Sequence, residues 1–196
     1  MSRNMKTIVF VLILGTAFSL VLMSIQALTA ERIEMNQRFA VQSAILDAFE
    51  ETYTIANFAD VFDETMETVE IDDLVIYVHE ETGGVAFEFS GFGVWGPIRG
   101  IIAFESDFET ILYVRVLEQE ETPGLGGVVA EESYLDNYVG ASMADGLVVT
   151  HNADPNLDNE VDAITGATRT SESFQSILNN TYEEHKTAWD NREGGD

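Results

Sequence analysis

An α+β domain carried on an N-terminal membrane anchor is the architecture that this 196-residue sequence predicts. Three observations lead there. An uncharged apolar run opens the chain, β-rich runs separated by glycine and proline fill its middle, and an amphipathic helical pattern closes it. The apolar content, 45%, is enough for one packed core, and no internal repeat is apparent.

From Thr7 to about Leu28 there is no charge, with apolar Ile8 to Leu14, Ala17-Phe18 and Leu20 to Met23. That matches the ~20 apolar residues a membrane-spanning helix needs. A cleaved signal peptide would have a shorter apolar region ending at a small-x-small site, which Ala27-Leu-Thr-Ala30 fits poorly. Arg3 and Lys6 precede the span and acids dominate beyond it, so the positive-inside rule predicts a cytoplasmic N-terminus and an exported remainder. Arg32 and Arg38, just after the span, weaken that orientation without reversing it. Residues 1–30 are thus read as cytoplasmic tip and anchor. Residues 31–54 are read as a stalk helix, in which Phe39, Leu46, Phe49 and Tyr53 recur at helical intervals. The acidic stretch Ile55 to Glu70 carries no assignable element.

Leu74 to Val78 is continuous and β-branched, and Val85 to Phe89 alternates after Gly83-Gly84, so the pair predicts a hairpin. Gly91, Gly93 and Gly96 have the literal spacing of a dinucleotide fingerprint. That fingerprint needs a helix immediately after it, whereas Pro97 and the β-rich Ile101 to Phe104 follow here, so the glycines serve a bend or a close backbone approach. Ile111 to Leu117 predicts another strand. It leads into Glu121-Thr-Pro-Gly-Leu-Gly-Gly127, whose glycines exceed what a plain turn requires and suit a backbone approaching a flat ligand. Tyr134 to Tyr138 predicts one or two helical turns, Leu147 to Thr150 a strand, Asn152 to Glu160 a polar loop, and about Thr170 to Trp189 the last helix. The tail 191–196 is expected to be disordered.

Charge and composition narrow the chemistry. Nine basic against 35 acidic residues, net -26, repel phosphate backbones and exclude a nucleic-acid role. Such acidity suits either a docking face for a basic partner or a surface soluble in high salt. The spread of acids along the whole chain after Ala30 favours the second. With no cysteine, disulfides and iron–sulfur ligation are excluded, so redox chemistry requires an organic cofactor or a partner. His79, His151 and His185 show no ligand spacing. The loop Asp154-Pro-Asn156-Leu-Asp158-Asn-Glu160-Val-Asp162 spaces oxygens two apart like a calcium loop. It has Asn159 and Thr165 where an EF-hand needs glycine and glutamate, so it reads as a solvated loop with no metal. No nucleophile–base pair is evident, which argues against hydrolysis.

The stretch Asp162-Ala-Ile-Thr165-Gly166-Ala167-Thr168-Arg-Thr170-Ser171 reads, on residues alone, as a helix N-terminus. Hydroxyl caps lie ahead of apolar Phe174, Ile177 and Leu178, with Glu172 in the first turn. The order Asp-x-x-Thr-Gly-Ala-Thr also resembles the flavinylation motif of the FMN-binding domains found in the C subunit of Na+-translocating NADH:quinone reductases and the related G subunit of Rnf complexes. Gly91-Phe-Gly-Val-Trp95-Gly96 looks like the Gly-x-Gly-Leu-Trp element of the reductase subunit, and Glu121 to Gly127 is similar to that family's loop throughout.

The resemblance implies a single FMN-binding domain over 55–190, with a twisted, mainly antiparallel sheet flanked by helices. It implies covalent FMN, joined through a phosphoester to Thr168. Thr122, Gly124, Leu125 and Gly126 would then meet the isoalloxazine, and Trp95, Glu121, Thr165, Gly166 and Ala167 would complete the cofactor site. Asp162 matches the position recognised by a separate FAD-dependent flavin transferase, and Arg169 could pair with the phosphate. The implied role is an electron relay among the membrane subunits of a Na+-translocating NADH:quinone reductase, without substrate turnover of its own. Ser171-Glu-Ser-Phe174 departs from the glycine many relatives carry there. An Rnf-type subunit with the same cofactor and an exported binding module with a merely capped helix are the alternatives.

Overall fold

The computed structural model describes residues 3–192. Residues 1–2 of the expected cytoplasmic tip and residues 193–196 of the expected disordered tail lie outside the described residues. The chain divides into two units, Met1–Phe39 and Ala40–Asp196.

The first unit is the larger part of one helix, α1 (Arg3–Ala48). It contains an 18-residue window of mean hydropathy 2.7 that is nowhere buried, and it is long and apolar enough to cross a membrane. Two of its hydroxyls bond within the helix: Ser24 Oγ donates to the Leu20 carbonyl at 2.7 Å and Thr29 Oγ1 to that of Ile25 at 2.9 Å.

In the second unit a five-stranded antiparallel meander, in the order β1-β2-β3-β4-β5, is covered on both faces. The strands are β1 (Met66–Ile71), β2 (Leu74–His79), β3 (Val85–Phe92), β4 (Pro97–Phe104) and β5 (Ile111–Glu118). The period-two alternation of a strand sorts the side chains. Val85, Phe87 and Phe89 of β3 join Ile98, Ile102 and Phe104 of β4 in one core, against Phe174, Ile177, Leu178 and Tyr182 of the last helix, α4 (Thr168–Asn191). Ala86, Ile101 and Ala103 face the other way, onto Ala44, Ile45 and Leu46 of α1 and Phe62 of α2 (Phe58–Thr65).

The stretch Ile55 to Glu70, left unassigned from sequence, forms α2 and β1. Only Met66 of β1 is buried, and Glu67 and Glu70 line this charged edge strand, so its sequence carries little apolar signal. The turn into β2 uses Asp72 and Asp73, both at positive φ without a glycine. The expected hairpin at Gly83-Gly84 forms, pairing Val78 with Val85. Gly91 to Gly96 lies at the β3–β4 hairpin, with Gly93 N bonded to the Gly96 carbonyl at 2.8 Å, so no helix follows these glycines. The helix expected to reach Tyr53 ends at Ala48. Glu50 then takes φ 58°, and the Tyr53 hydroxyl bonds back to Asp47 at 2.7 Å.

After β5 the chain runs through a 3-10 turn (Gly126–Ala130), α3 (Glu132–Leu135) and a second 3-10 turn (Asp136–Tyr138). Two short parallel strands, β6 (Val148–Thr150) and β7 (Glu160–Asp162), then deliver it to α4.

Candidate functional site

Asp162 closes β7 opposite Thr150, and its Oδ1 accepts the Ala153 N–H at 2.9 Å. A tight turn follows, in which Ala167 N donates to the Ile164 carbonyl at 3.0 Å. Gly166, third in that turn, has φ +83°, the conformation a type II turn demands of its third residue and glycine supplies without strain. The helix then begins at Thr168, with Ala167 in the N-cap position and no capping side chain.

This corrects the capped-helix expectation. The helix starts two residues before Thr170, so Glu172 falls outside a first turn that holds no acid. The hydroxyls that looked like caps do other things. Ser171, 1% exposed, accepts the Ile164 N–H at 3.0 Å and donates to the Ala167 carbonyl at 3.2 Å. Thr170, 4% exposed, donates to Glu121 Oε2 at 2.7 Å. Thr165 and Thr168 are exposed. Leading amides of a helix have no carbonyl of the preceding turn to bind, so the Thr168 hydroxyl stands where anions are favoured.

Glu121 is the hub that joins the three motif stretches. Its buried carboxylate accepts the N–H groups of Val94 and Trp95 through Oε1, at 2.7 and 2.9 Å, and the Thr170 hydroxyl through Oε2. Two glycines make room for it. A Cβ on Gly93 would collide with Oε1, and one on Gly126 would lie 2.6 Å from both Oε2 and Thr170 Oγ1. The tip Thr122-Pro-Gly-Leu125 closes with Leu125 N on the Thr122 carbonyl at 3.1 Å, and Gly124 takes φ +72°. The half-exposed Leu125 reaches the motif turn, its Cδ2 3.5 Å from where a Cβ on Gly166 would stand. The Trp95 side chain is 72% exposed, beside exposed Phe92 and Val94 in sequence. Sequence reasoning grouped Trp95, Glu121 to Gly126 and 162–168 by resemblance; the carboxylate supplies the physical link among them.

Below the motif, Tyr134 and Tyr138 share a hydroxyl–hydroxyl hydrogen bond of 2.9 Å, and burial raises both phenols, Tyr138 well above its ordinary value. Of the histidines, His79 stacks on Phe49 and bonds Thr82 and Glu51, and His185 stacks on Phe87 at 4.0 Å. His151 is the exception that sequence reasoning passed over: its Nε2 lies 3.3 Å from Thr168 Oγ1. The β6–β7 pairing is what brings residues 17 apart in sequence together, and pairing Val149 with Val161 was the available signal. In the polar loop, Asp154 Oδ1 takes the Asn156 N–H at 2.9 Å. Among the described residues no group of three or more histidine, cysteine or acidic side chains is placed to hold a metal.

Residues 93–183 match the family model for the FMN-binding domain. The chain matches that model over 91 of its 196 residues. It is 34% identical over 98 residues to the C subunit of the Na(+)-translocating NADH-quinone reductase of Neisseria meningitidis, covering 47% of this chain and 38% of that protein. It is 32% identical over 110 residues to the Vibrio alginolyticus protein of the same name, covering 52% and 43%. The matched segment thus spans about two fifths of those relatives' length. The crystal structure of Shewanella oneidensis NqrC superimposes with a TM-score of 0.61 at 21% identity, over 72% of this chain and 89% of that one. The corresponding protein from Parabacteroides distasonis gives 0.60 at 22%, over 75% and 88%. The α+β fold inferred from sequence is therefore the fold of these two solved structures.

Proposed function

We propose that this protein is a membrane-anchored electron-transfer subunit of a Na+-translocating NADH:quinone reductase, bearing FMN in phosphoester linkage on Thr168. The observation that carries the proposal is the sorting of the motif's hydroxyls. Thr170 and Ser171 are buried and bonded, whereas Thr168 is exposed on the first residue of an uncapped 24-residue helix. The donor set suits a phosphate: leading helix amides, an exposed guanidinium at Arg169, and a turn at Gly166 without a side chain to obstruct approach.

In this reading Thr168 fixes the phosphate, and Thr165, Gly166 and Ala167 form the turn that presents it. Thr122, Gly124, Leu125 and Gly126 offer backbone and an apolar side chain to the ring, and Trp95 adds an exposed indole. Glu121 acts from inside, holding these stretches in register. The flavin supplies the electron chemistry, and the protein sets its position and surroundings. Covalent attachment retains the carrier whatever its non-covalent affinity. Residues 55–190 are the FMN-binding domain, 31–54 the stalk and 1–30 the cytoplasmic tip and membrane anchor, with the domain on the extracytoplasmic side. The other membrane subunits are its electron partners, and an FAD-dependent transferase that reads Asp162 matures it.

The test is the intact mass of the full chain after co-expression with the transferase. An increase of one FMN less water is expected, with yellow fluorescence retained in the denatured band. Thr168→Ala abolishes both and Thr165→Ala preserves them. Unmodified wild-type mass, or flavin surviving in Thr168→Ala, refutes the proposal.

A further inference from the structure

A threonine hydroxyl is a poor nucleophile until a base takes its proton. Thr168 has an imidazole at hand: His151 Nε2 lies 3.3 Å from Oγ1, in reach of the O–H as donor to a neutral ring. Both partners are exposed, so a phosphoryl donor can approach the same oxygen. The placement is built in rather than incidental. β6 ends at Thr150, which pairs with Asp162 of β7, and Asn152 turns the chain at φ 60°, which leaves His151 beside the start of α4. Asp162, at the end of β7, accepts the Ala153 N–H on its Oδ1.

We propose that His151 is the base that accepts the Thr168 hydroxyl proton during flavin attachment, so that the acceptor protein contributes a catalytic residue to its own modification. This rests on the reading of Thr168 as the acceptor. The co-reactant is a flavin adenine dinucleotide held by the transferase. Thr168 Oγ attacks the phosphorus of the FMN half, and the new O–P bond forms as the bridging pyrophosphate O–P bond breaks. AMP leaves with that bridging oxygen. The hydroxyl proton passes to His151 Nε2 and from there to solvent, and nothing is oxidised or reduced. Imidazole is suited to this task because it exchanges protons near neutral pH. A contact of 3.3 Å is long for a proton transfer, and such contacts shorten when the reacting complex assembles.

The experiment uses the full chain in detergent with purified transferase and flavin adenine dinucleotide, following covalent incorporation by intact mass and denatured-gel fluorescence. Positioned acid–base groups contribute ~10²–10⁴-fold. His151→Ala and His151→Gln are therefore each expected to lower kcat for the acceptor at least about tenfold, with its KM unchanged. Millimolar imidazole restores the Ala variant, because residue 151 is open to solvent, and leaves wild type unaffected. Wild-type rates in both variants overturn the proposal. So does recovery of rate by Gln, which would mean that only a hydrogen bond is needed. So does a raised KM at unchanged kcat, which would assign His151 to docking. Failure of the Thr168 reading is separately visible, as wild-type protein without added flavin mass or Thr168→Ala protein with it.

Discussion

Removing the Glu121 carboxylate should unfasten the site from within. It holds two backbone N–H groups at 2.7 and 2.9 Å and the Thr170 hydroxyl at 2.7 Å. Hydrogen bonds to a charged group contribute about 1.5–3 kcal/mol each. Not all of that is lost in Glu121→Ala. Val94 and Trp95 are exposed and their amides can rehydrate, and the variant escapes the desolvation cost of a buried carboxylate. Thr170, 4% exposed, stays dry and unpaired. We expect a net loss of about 3–5 kcal/mol, or roughly 10 °C in Tm for a unit of this size. Glu121→Gln keeps the shape and loses charge assistance, for about 1–2 kcal/mol. The assay is urea unfolding followed by tryptophan fluorescence. Gly93→Ala supplies the control, since its Cβ would strike Oε1. Combined with Glu121→Ala it should cost less than the sum of the two single changes. A Glu121→Ala variant within about 1 kcal/mol of wild type, or strict additivity with Gly93→Ala, would refute the hub.

Other consequences follow from local geometry and charge. Gly100 sits at a register shift between β4 and β5, where a Cβ would meet the Arg115 carbonyl and lie 2.5 Å from Phe89 Cζ. Gly100→Ala should therefore cost about 3 kcal/mol in the same assay, and a neutral result would mean the strands are not so closely apposed. Burial holds the His185 imidazole below its ordinary value, which favours the neutral ring in the folded chain. Its contribution is complete above the unfolded value of about 6.5 and declines as pH falls below it, because the unfolded chain takes up the proton more readily than the folded one. The urea midpoint between about pH 8 and 5 should accordingly fall less steeply in His185→Gln than in wild type. With 35 acids against nine bases, self-repulsion should make Tm rise from dilute buffer to about 1 M salt, where the Debye length is ~3 Å; an unchanged Tm would refute a salt-adapted surface.

The fold was legible wherever one physical pattern dominated. The apolar run of α1, the alternating β3, the hairpin glycines and the period of Phe174, Ile177 and Leu178 each register in sequence because burial repeats at a fixed interval. β1 was not legible, because an edge strand with one buried side chain looks like acidic loop, and its turn uses two aspartates in place of glycine. The start of α4 was misread for a related reason. Ser171 and Thr170 have the chemistry of caps, yet they spend it on Ile164 and Glu121, partners that tertiary structure alone supplies. His151 was invisible for the same cause: its partner is set by strand pairing, not by spacing.

A protein of net charge -26 is an unpromising host for a phosphate, and the architecture of the site answers that objection. At physiological ionic strength charges interact over about 8 Å, so carboxylates scattered across a folded surface are largely screened at any one point. What matters is the immediate surroundings of Thr168. There the first turn of α4 holds no acid, no side chain caps it, and Arg169 follows directly. Asp162 has its Oδ1 turned to the Ala153 amide, and Glu121, which accepts the Thr170 hydroxyl, is buried and taken up by three donors. Moving an acid into that first turn, rather than adding one elsewhere on the surface, is the change that would set the protein's charge against a phosphate on Thr168.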